Sequence, residues 1–182
     1  NGKLEYKRLR SQNFAEVLDL LGGSGYLDIN NFADSEAQMQ NDVLNPNRVV
    51  GVGDAFRYNF NLKSDFINAF AQGQFKYNKV DFFAAVKVSQ ITNQREGLYK
   101  NGRFENNSLG ASEKINFTNY GVKTGATYKI NGRNLIDVNA AYVTQAPTLR
   151  NSFSNSRENN NIVDNLQNEK VFSADASYIR RS

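Results

Sequence analysis

The chain contains no cysteine, no histidine and no tryptophan among its 182 residues. Without cysteine it can form neither disulfide bonds nor thiolate metal sites. Without histidine it lacks the usual general base and the usual zinc ligand, so Ser/His/Asp and Cys/His catalytic arrangements are excluded. A pair of carboxylates of the glycosidase type is compatible with the composition, but no pattern points to one. We therefore predict no enzymatic activity and assign no catalytic, metal-binding or cofactor-binding residue.

Long apolar runs are also missing. The longest is Phe82–Val86, far short of the roughly 18 residues that a membrane helix needs. The net charge of +4 is mild, and the basic residues are scattered among acidic ones. This distribution argues against a nucleic-acid partner.

Long period-2 alternation is what the chain does have. In the hairpin Tyr120–Val143, apolar and polar residues alternate on both sides of Asn131-Gly132, a dipeptide typical of a tight type I′ turn. Globular strands average about five or six residues. Alternation this long is typical of membrane-spanning strands, which have one face in lipid and the other in a wet lumen.

A second hairpin of the same kind covers residues 67–88, turns at Asn78-Lys79, and a last strand follows near Phe172. Long polar stretches at 93–114 and 148–169 separate these units. Alternating short and long connections are typical of outer-membrane barrels, whose periplasmic turns are short. The sequence thus predicts an all-β fold of antiparallel up-and-down strands forming part of a transmembrane β-barrel, with about five long strands in 66–182 and periplasmic turns at 78–79 and 131–132.

The alternation also predicts which side chains face lipid. These are Val80, Phe82, Ala84, Val86, Tyr120, Val122, Ala126, Val138, Ala140 and Tyr142.

Residues 1–57 differ in pattern, and we predict for them mainly an extracellular loop with one short helix over 13–21. Phe14, Val17, Leu18 and Leu21 follow the i, i+3, i+4, i+7 spacing. Asn13 is a candidate N-cap, and Gly22-Gly23 is a suitable helix end.

Aromatic and arginine side chains in the predicted outer loops are candidate ligand contacts: Tyr26, Phe32, Arg95, Tyr99, Arg103, Phe104, Arg150, Phe153 and Arg157. The aromatic rings could stack on a sugar or line an apolar site, or they could anchor the loops to one another. The arginines could bind an anion, or they could pair with Glu96, Glu105 and Glu158.

Several segments resemble TonB-dependent outer-membrane receptors of Bacteroidota, of the type in which a carboxypeptidase-regulatory-like domain and a plug precede the barrel. The segments are Asp19–Gly23, Tyr26–Ala33, Asn41-Asp42, Asn45–Arg48, Gln72–Tyr77, Val80–Phe83, Gln94–Tyr99, Tyr128–Asn134, Ala146–Asn151 and Glu169-Lys170. The resemblance implies a protein of the cell outer membrane that actively takes up an iron chelate, cobalamin or a glycan. Its implied partners are outer-membrane lipid, its own plug, TonB and, in some relatives, a surface lipoprotein. No cofactor is implied.

The chain is expected to be an internal fragment, because it shows no signal peptide at Asn1 and stops in mid-pattern at Ser182. Five strands are too few for a membrane barrel, which needs at least about eight. Two alternatives stay open. One is a passive porin-type barrel without a plug, and the other is a soluble β-sandwich that binds sugars at the cell surface.

Overall fold

The structure, a computed structural model, describes residues 1–181. Its strands are β1 (Gly2–Glu16), β2 (Tyr26–Leu27), β3 (Val49–Val50), β4 (Ala55–Lys76), β5 (Val80–Gly97), β6 (Gly110–Ala111), β7 (Ile115–Lys129), β8 (Asn134–Gln145) and β9 (Glu169–Arg180). A four-residue helix, α1, covers Glu36–Met39, and two short 3₁₀ turns cover Gly102–Phe104 and Arg150–Ser152. The predicted all-β class is confirmed.

The long strands form one antiparallel sheet in the order β1-β4-β5-β7-β8-β9. Each long strand pairs with the next long strand of the chain, so the sheet is an up-and-down meander. The short strand β6 pairs with the end of β5, and β2 and β3 form a separate pair. Within the described residues β1 and β9 are the two outer strands of an open sheet.

The connections alternate in length from one end of the sheet to the other. Residues 77–79 and 130–133 make the short turns at one end. The long connections 17–54, 98–114 and 146–168 all lie at the opposite end. We call these three segments the first, second and third loops.

The turn between β7 and β8 differs from the predicted type I′ turn. It holds four residues rather than two, and neither Asn131 nor Gly132 has a positive φ. The Asn131 side chain instead accepts hydrogen bonds from the backbone N–H groups of Arg133 and Asn134, at 2.9 and 3.0 Å. Asparagine closes such turns with its own side chain and needs no left-handed backbone to do so.

The predicted helix over 13–21 is wrong. Residues 13–16 belong to β1, which pairs with β4 along all fifteen of its residues. Four apolar residues at helical spacing do not distinguish a helix from a strand in so short a segment. Here ladder pairing with a neighbouring strand outweighs the local preference. The segment 1–57 also begins with a full-length strand that was not predicted, and the first loop at 17–54 makes up most of the rest.

The two faces of the sheet differ in chemistry. One face, here the apolar face, carries the predicted lipid-facing residues. The registers place on it Leu4, Tyr6, Ile67, Ala69, Ala71, Phe75, Val80, Phe82, Ala84, Val86, Val88, Tyr120, Val122, Ala126, Tyr128, Ile136, Val138, Ala140, Tyr142, Phe172, Ala174, Ala176 and Tyr178.

The opposite, polar face carries side chains that bond to one another. Lys129 pairs with Asp81 at 2.7 Å, and the Thr127 hydroxyl donates to Asp137 at 2.6 Å. Asn139 donates to both Asp137 and Asp175.

The small hydrophobic core lies at the loop end of the polar face. Phe60 and Leu62 of β4 pack with Phe153 of the third loop. The third loop therefore folds back across the polar face and leaves the apolar face uncovered. None of the helices among the described residues is long and apolar enough to cross a membrane.

Candidate ligand-binding site

A cleft opens on the polar face where the three loops meet. It has a volume of about 600 Å³ and adjoins a second cavity of about 680 Å³. The two share Tyr58, Asn155 and Arg157, so we treat them as one site, the loop cleft. Side chains from β4 and from all three loops line it, including Tyr26, Phe32, Arg57, Arg103 and Asn155.

A bulge in β4 places two consecutive residues in this cleft. Phe14 of β1 pairs with Asn59, whereas the next residue, Ala15, pairs with Phe56, so Arg57 and Tyr58 have no opposite residue. Arg57 has a φ of +63°, a conformation that few residues other than glycine adopt. Neighbouring strand residues normally point to opposite faces. The bulge instead lets both Arg57 and Tyr58 line the cleft.

Asp28 holds this bulge in place. Its carboxylate is only 2% exposed and accepts a hydrogen bond of 2.8 Å from the Arg57 backbone N–H. It also accepts from the Asn41 amide at 2.8 Å and forms an ion pair with Arg48. One buried carboxylate thus connects the first loop to the strained residue of β4.

Arg48 extends this link to the second loop. Its guanidinium lies 4.8 Å from the ring centre of Tyr99 and donates to the tyrosine oxygen at 3.0 Å. Burial acts to lower the pKa of Arg48, but the hydrogen bonds to Asp28 and Tyr99 outweigh it and raise that pKa. Arg48 is therefore charged at neutral pH and keeps its ion pair.

Arg95, near the end of β5, connects the second and third loops. It is 2% exposed, and its guanidinium donates to the carbonyl oxygens of Ser108 and Ser156 and to the side-chain oxygen of Asn160. Burial lowers its pKa to about 10. The side chain therefore stays charged at neutral pH.

The structure divides the predicted ligand contacts into three groups. Tyr26, Phe32, Arg103 and Arg157 line the first part of the cleft, and Arg150, Phe153 and Arg157 line the adjoining part. Arg95 is not a surface contact, because its side chain is buried among loop carbonyl groups. Tyr99 likewise anchors a loop through Arg48 and the Ala55 carbonyl. Phe104 lines neither part.

The predicted alternative, pairing of the arginines with nearby glutamates, is not what the structure shows. Glu96 pairs with Lys63, and Glu105 pairs with Lys100. Among the described residues, no ion pair involves the four arginines of the cleft, Arg57, Arg103, Arg150 and Arg157.

Sequence reasoning missed Arg57 and Tyr58 as well as several asparagines of the cleft. Without a bulge, Arg57 and Tyr58 would be read as ordinary alternating strand residues. No glycine or proline marks the bulge in the sequence.

The apolar face is a second surface with an unusual composition for an exposed one. In the four successive rows of the sheet from Val80 to Val86, this face carries no charged side chain among the described residues. Its large residues are exposed, with Leu4 at 84% and Phe172 at 71%. Soluble monomers rarely expose a contiguous apolar patch larger than a few hundred square ångströms.

Aromatic side chains border this apolar face at both ends. Phe75, Tyr77, Phe82, Tyr128 and Tyr178 lie toward the short turns, where the Phe75 and Phe82 rings stack at 4.9 Å. Tyr6, Tyr120, Tyr142 and Phe172 lie toward the loops. Small residues such as Ala84, Ala140 and Ala174 occupy the middle. Beyond the loop-side aromatics, Asp65 pairs with Arg8 and Arg10.

Compared with family models, curated proteins and solved structures, the chain matches none. Its function is therefore inferred from these two surfaces, the apolar face and the loop cleft.

Proposed function

We propose that this chain forms part of the wall of an outer-membrane β-barrel, within a TonB-dependent receptor that actively takes up a nutrient. The observation that carries the proposal is the exposed apolar face, which continues across six strands and is bordered at both ends by aromatic residues. Outer-membrane barrels have an apolar band between two aromatic girdles, because tyrosine and phenylalanine sit well at the lipid–water interface.

The height of the band fits a bilayer. On β5 it runs from Val80 to Val88, nine residues. Its eight steps from residue to residue, at about 3.3 Å each, span about 26 Å along the strand. With a tilt of about 40°, its height is about 20 Å, close to the roughly 25 Å band of such barrels.

The connections and the polar face support the same proposal. Short turns at one end and long loops at the other correspond to the periplasmic and outer sides of a barrel. The charged and amide side chains of the polar face, such as Lys87 and Asn139, would then face the lumen. The free edges of β1 and β9 are where further strands would complete the barrel, since a membrane-spanning sheet has to close.

The active, TonB-dependent part of the proposal rests on the sequence resemblance. A plug and the TonB contact would belong to parts of the protein outside this chain. The structure adds a reason to prefer a receptor over a passive pore. Its loops are not loose but are fixed to one another by Asp28, Arg48 and Arg95 around a cleft, as ligand recognition requires.

Single-cysteine labelling tests the topology, and the chain offers a cysteine-free background. Cysteine at Phe32 in the first loop should react with a membrane-impermeant maleimide on whole cells. Cysteine at Gly132 in the short turn should react only after the outer membrane is opened. Phe32 is 91% exposed, and a Cβ atom at Gly132 would meet no atom of the described residues within 4 Å, so both sites are sterically open.

A lipid-exposure measurement tests directly whether the apolar face contacts lipid. An environment-sensitive dye on cysteine at Val86 should be quenched by lipid-borne nitroxides, whereas the same dye at neighbouring Lys87 should be quenched by a water-soluble quencher. Equal labelling of positions 32 and 132 on intact cells, or equal lipid quenching at 86 and 87, would contradict the proposal.

A further inference from the structure

We propose that the loop cleft recognises a small ligand bearing at least two carboxylate groups, either an acidic oligosaccharide or a carboxylate chelate of a metal. The inference rests on the proposed function, because it names the class of nutrient that the receptor would admit. It goes beyond that function because neither the barrel wall nor the strand topology determines what binds at the loops.

The side chains that line the loop cleft are predominantly basic. Four arginines, Arg57, Arg103, Arg150 and Arg157, line the cleft. Among residues 1–181, Glu158 is the one acidic residue that lines it, and no lysine does. Guanidinium groups bind carboxylates through two parallel hydrogen bonds, which an ammonium group cannot do. Several guanidiniums around one cleft repel one another until an anion neutralises them.

The bulge of β4 positions one of these arginines. Arg57 is held in a left-handed conformation by the bond from its own N–H to buried Asp28. Such strain persists only where the surrounding structure imposes it, and it is concentrated at ligand sites. A bulge can redirect a side chain, and here it adds Arg57 to a cleft that already holds Tyr58. The strained backbone at Arg57 therefore places one more guanidinium in the cleft.

Neutral aromatic and amide side chains also line the cleft. The guanidinium carbon of Arg157 lies over the Tyr58 ring, 5.0 Å from its centre, a cation–π contact that holds this charge at the cleft. Asn30, Asn101 and Asn155, one from each loop, line the cleft. Their side-chain oxygens accept from the backbone N–H groups of Phe32, Arg103 and Arg157, which leaves their amide N–H groups as donors for a ligand. The Phe32 ring is 91% exposed at the rim and is free to stack on a sugar ring. Amides and rings suit hydroxyl-bearing carboxylates better than inorganic anions.

Calorimetric titration of the complete protein in detergent micelles tests the inference. The probes are digalacturonate, an acidic disaccharide, its uncharged counterpart digalactose, and ferric citrate, a carboxylate chelate. We expect at least one of the two anions to bind about tenfold or more tightly than digalactose. Its affinity should fall as salt rises, because the contacts are charged.

Variants then locate the binding. Arg57→Gln and Arg157→Gln should each weaken binding of the anion about tenfold or more, and Arg57→Lys should restore only part of it. Arg133→Gln is the matched control, since Arg133 is an exposed arginine in the short turn at the far end of the sheet. It should leave the affinity unchanged.

The two anionic probes distinguish an acidic glycan from a carboxylate chelate of a metal as the ligand. Tight digalacturonate binding with weak ferric citrate binding identifies an acidic glycan, and the reverse identifies a chelate. Absence of measurable binding of both anions, equal binding of digalactose, or full affinity in Arg57→Gln and Arg157→Gln would overturn the inference. Correct cell-surface labelling without anion binding would refute this inference alone. Anion binding by a protein that fails the labelling test would refute the barrel instead.

Discussion

The Arg95 guanidinium lies 5.2 Å from the ring centre of Phe60, and no carboxylate among the described residues forms an ion pair with it. A buried cation without an anion is costly unless its N–H groups are all well bonded. Here backbone carbonyls, one amide oxygen and an aromatic face take the place of the anion. Because those carbonyls belong to two different loops, the cost of burying the charge is offset only when both loops are in place.

The first prediction follows from this arrangement. Arg95→Ala should destabilise the second and third loops by about 2–4 kcal/mol, because it leaves the carbonyls of buried Ser108 and half-buried Ser156 without their guanidinium donor. Hydrogen exchange should speed up in 98–114 and 146–168 while the ladder of β7 and β8 stays protected. Arg103→Ala, an exposed change in the same loop region, should cost less than about 0.5 kcal/mol. Equal protection of the loops in Arg95→Ala would contradict the anchoring role.

The second prediction concerns Gly97, where β5 ends. A Cβ atom there would lie 1.7 Å from the Ser108 carbonyl oxygen, so the second loop would have to move away. Gly97→Ala should therefore cost roughly 1–3 kcal/mol, as overpacking does, and lower the melting temperature. Gly132→Ala is the matched control, because a Cβ at Gly132 meets no atom of the structure's described part within 4 Å and the φ of Gly132 is not positive. A similar loss in both variants would show that the crowding at Ser108 is not the cause.

The third prediction concerns the support of the bulge. Asp28→Ala should leave Arg48 without its buried partner and release the Arg57 N–H, with an expected cost of about 3–5 kcal/mol in loop stability. Binding of any cleft ligand should weaken in parallel, since Arg57 loses its fixed conformation. Asp34→Ala, which removes an exposed carboxylate of the same first loop, is the control. Retention of both loop protection and ligand affinity in Asp28→Ala would contradict the assignment.

The strand pairing and the two faces could be predicted from the sequence, because the period of two is itself the cause of the alternation. Val86 and Val122 face the same way because both occupy alternate positions of paired strands. The strand at 2–16 was missed for a physical reason. Arg8 and Arg10 of β1 lie on the same side of the sheet as the apolar face but beyond its loop-side border. There both side chains are charged and pair with Asp65. Local alternation of apolar and polar residues is therefore lost.

The cleft could be predicted only in part. Tyr26, Phe32, Arg103 and Arg157 were found because aromatic and arginine residues in polar loops stand out by composition. Arg57 was not found, since its position depends on the register shift opposite Phe14 and on the hydrogen bond to Asp28. Both are contacts between segments far apart in the chain. Burial of Arg95 also depends on how two loops fold over it.

The fourth prediction compares the two faces of the sheet in lipid. Ala84→Arg or Val138→Arg should cost roughly 2–4 kcal/mol near the middle of the bilayer, because hydrocarbon cannot solvate the guanidinium. Asn139→Arg is the control on the polar face, where Asp137 and Asp175 would accept the new charge. Folding titrations in lipid vesicles measure the difference. Equal costs for Val138→Arg and Asn139→Arg would mean that the apolar face does not contact lipid.

The fifth prediction concerns the chain in the absence of lipid and of further strands. The outer strands β1 and β9 present unpaired backbone groups, which template pairing with other chains. The exposed apolar face adds a second cause of association. The isolated chain should therefore aggregate in water at micromolar concentration, as light scattering would show, and stay dispersed in detergent. Changing Leu4, Val86, Val122 and Phe172 together to lysine should reduce the aggregation in water, since all four lie on that face. A monomeric chain that melts cooperatively in water would favour a soluble sugar-binding domain over a barrel wall.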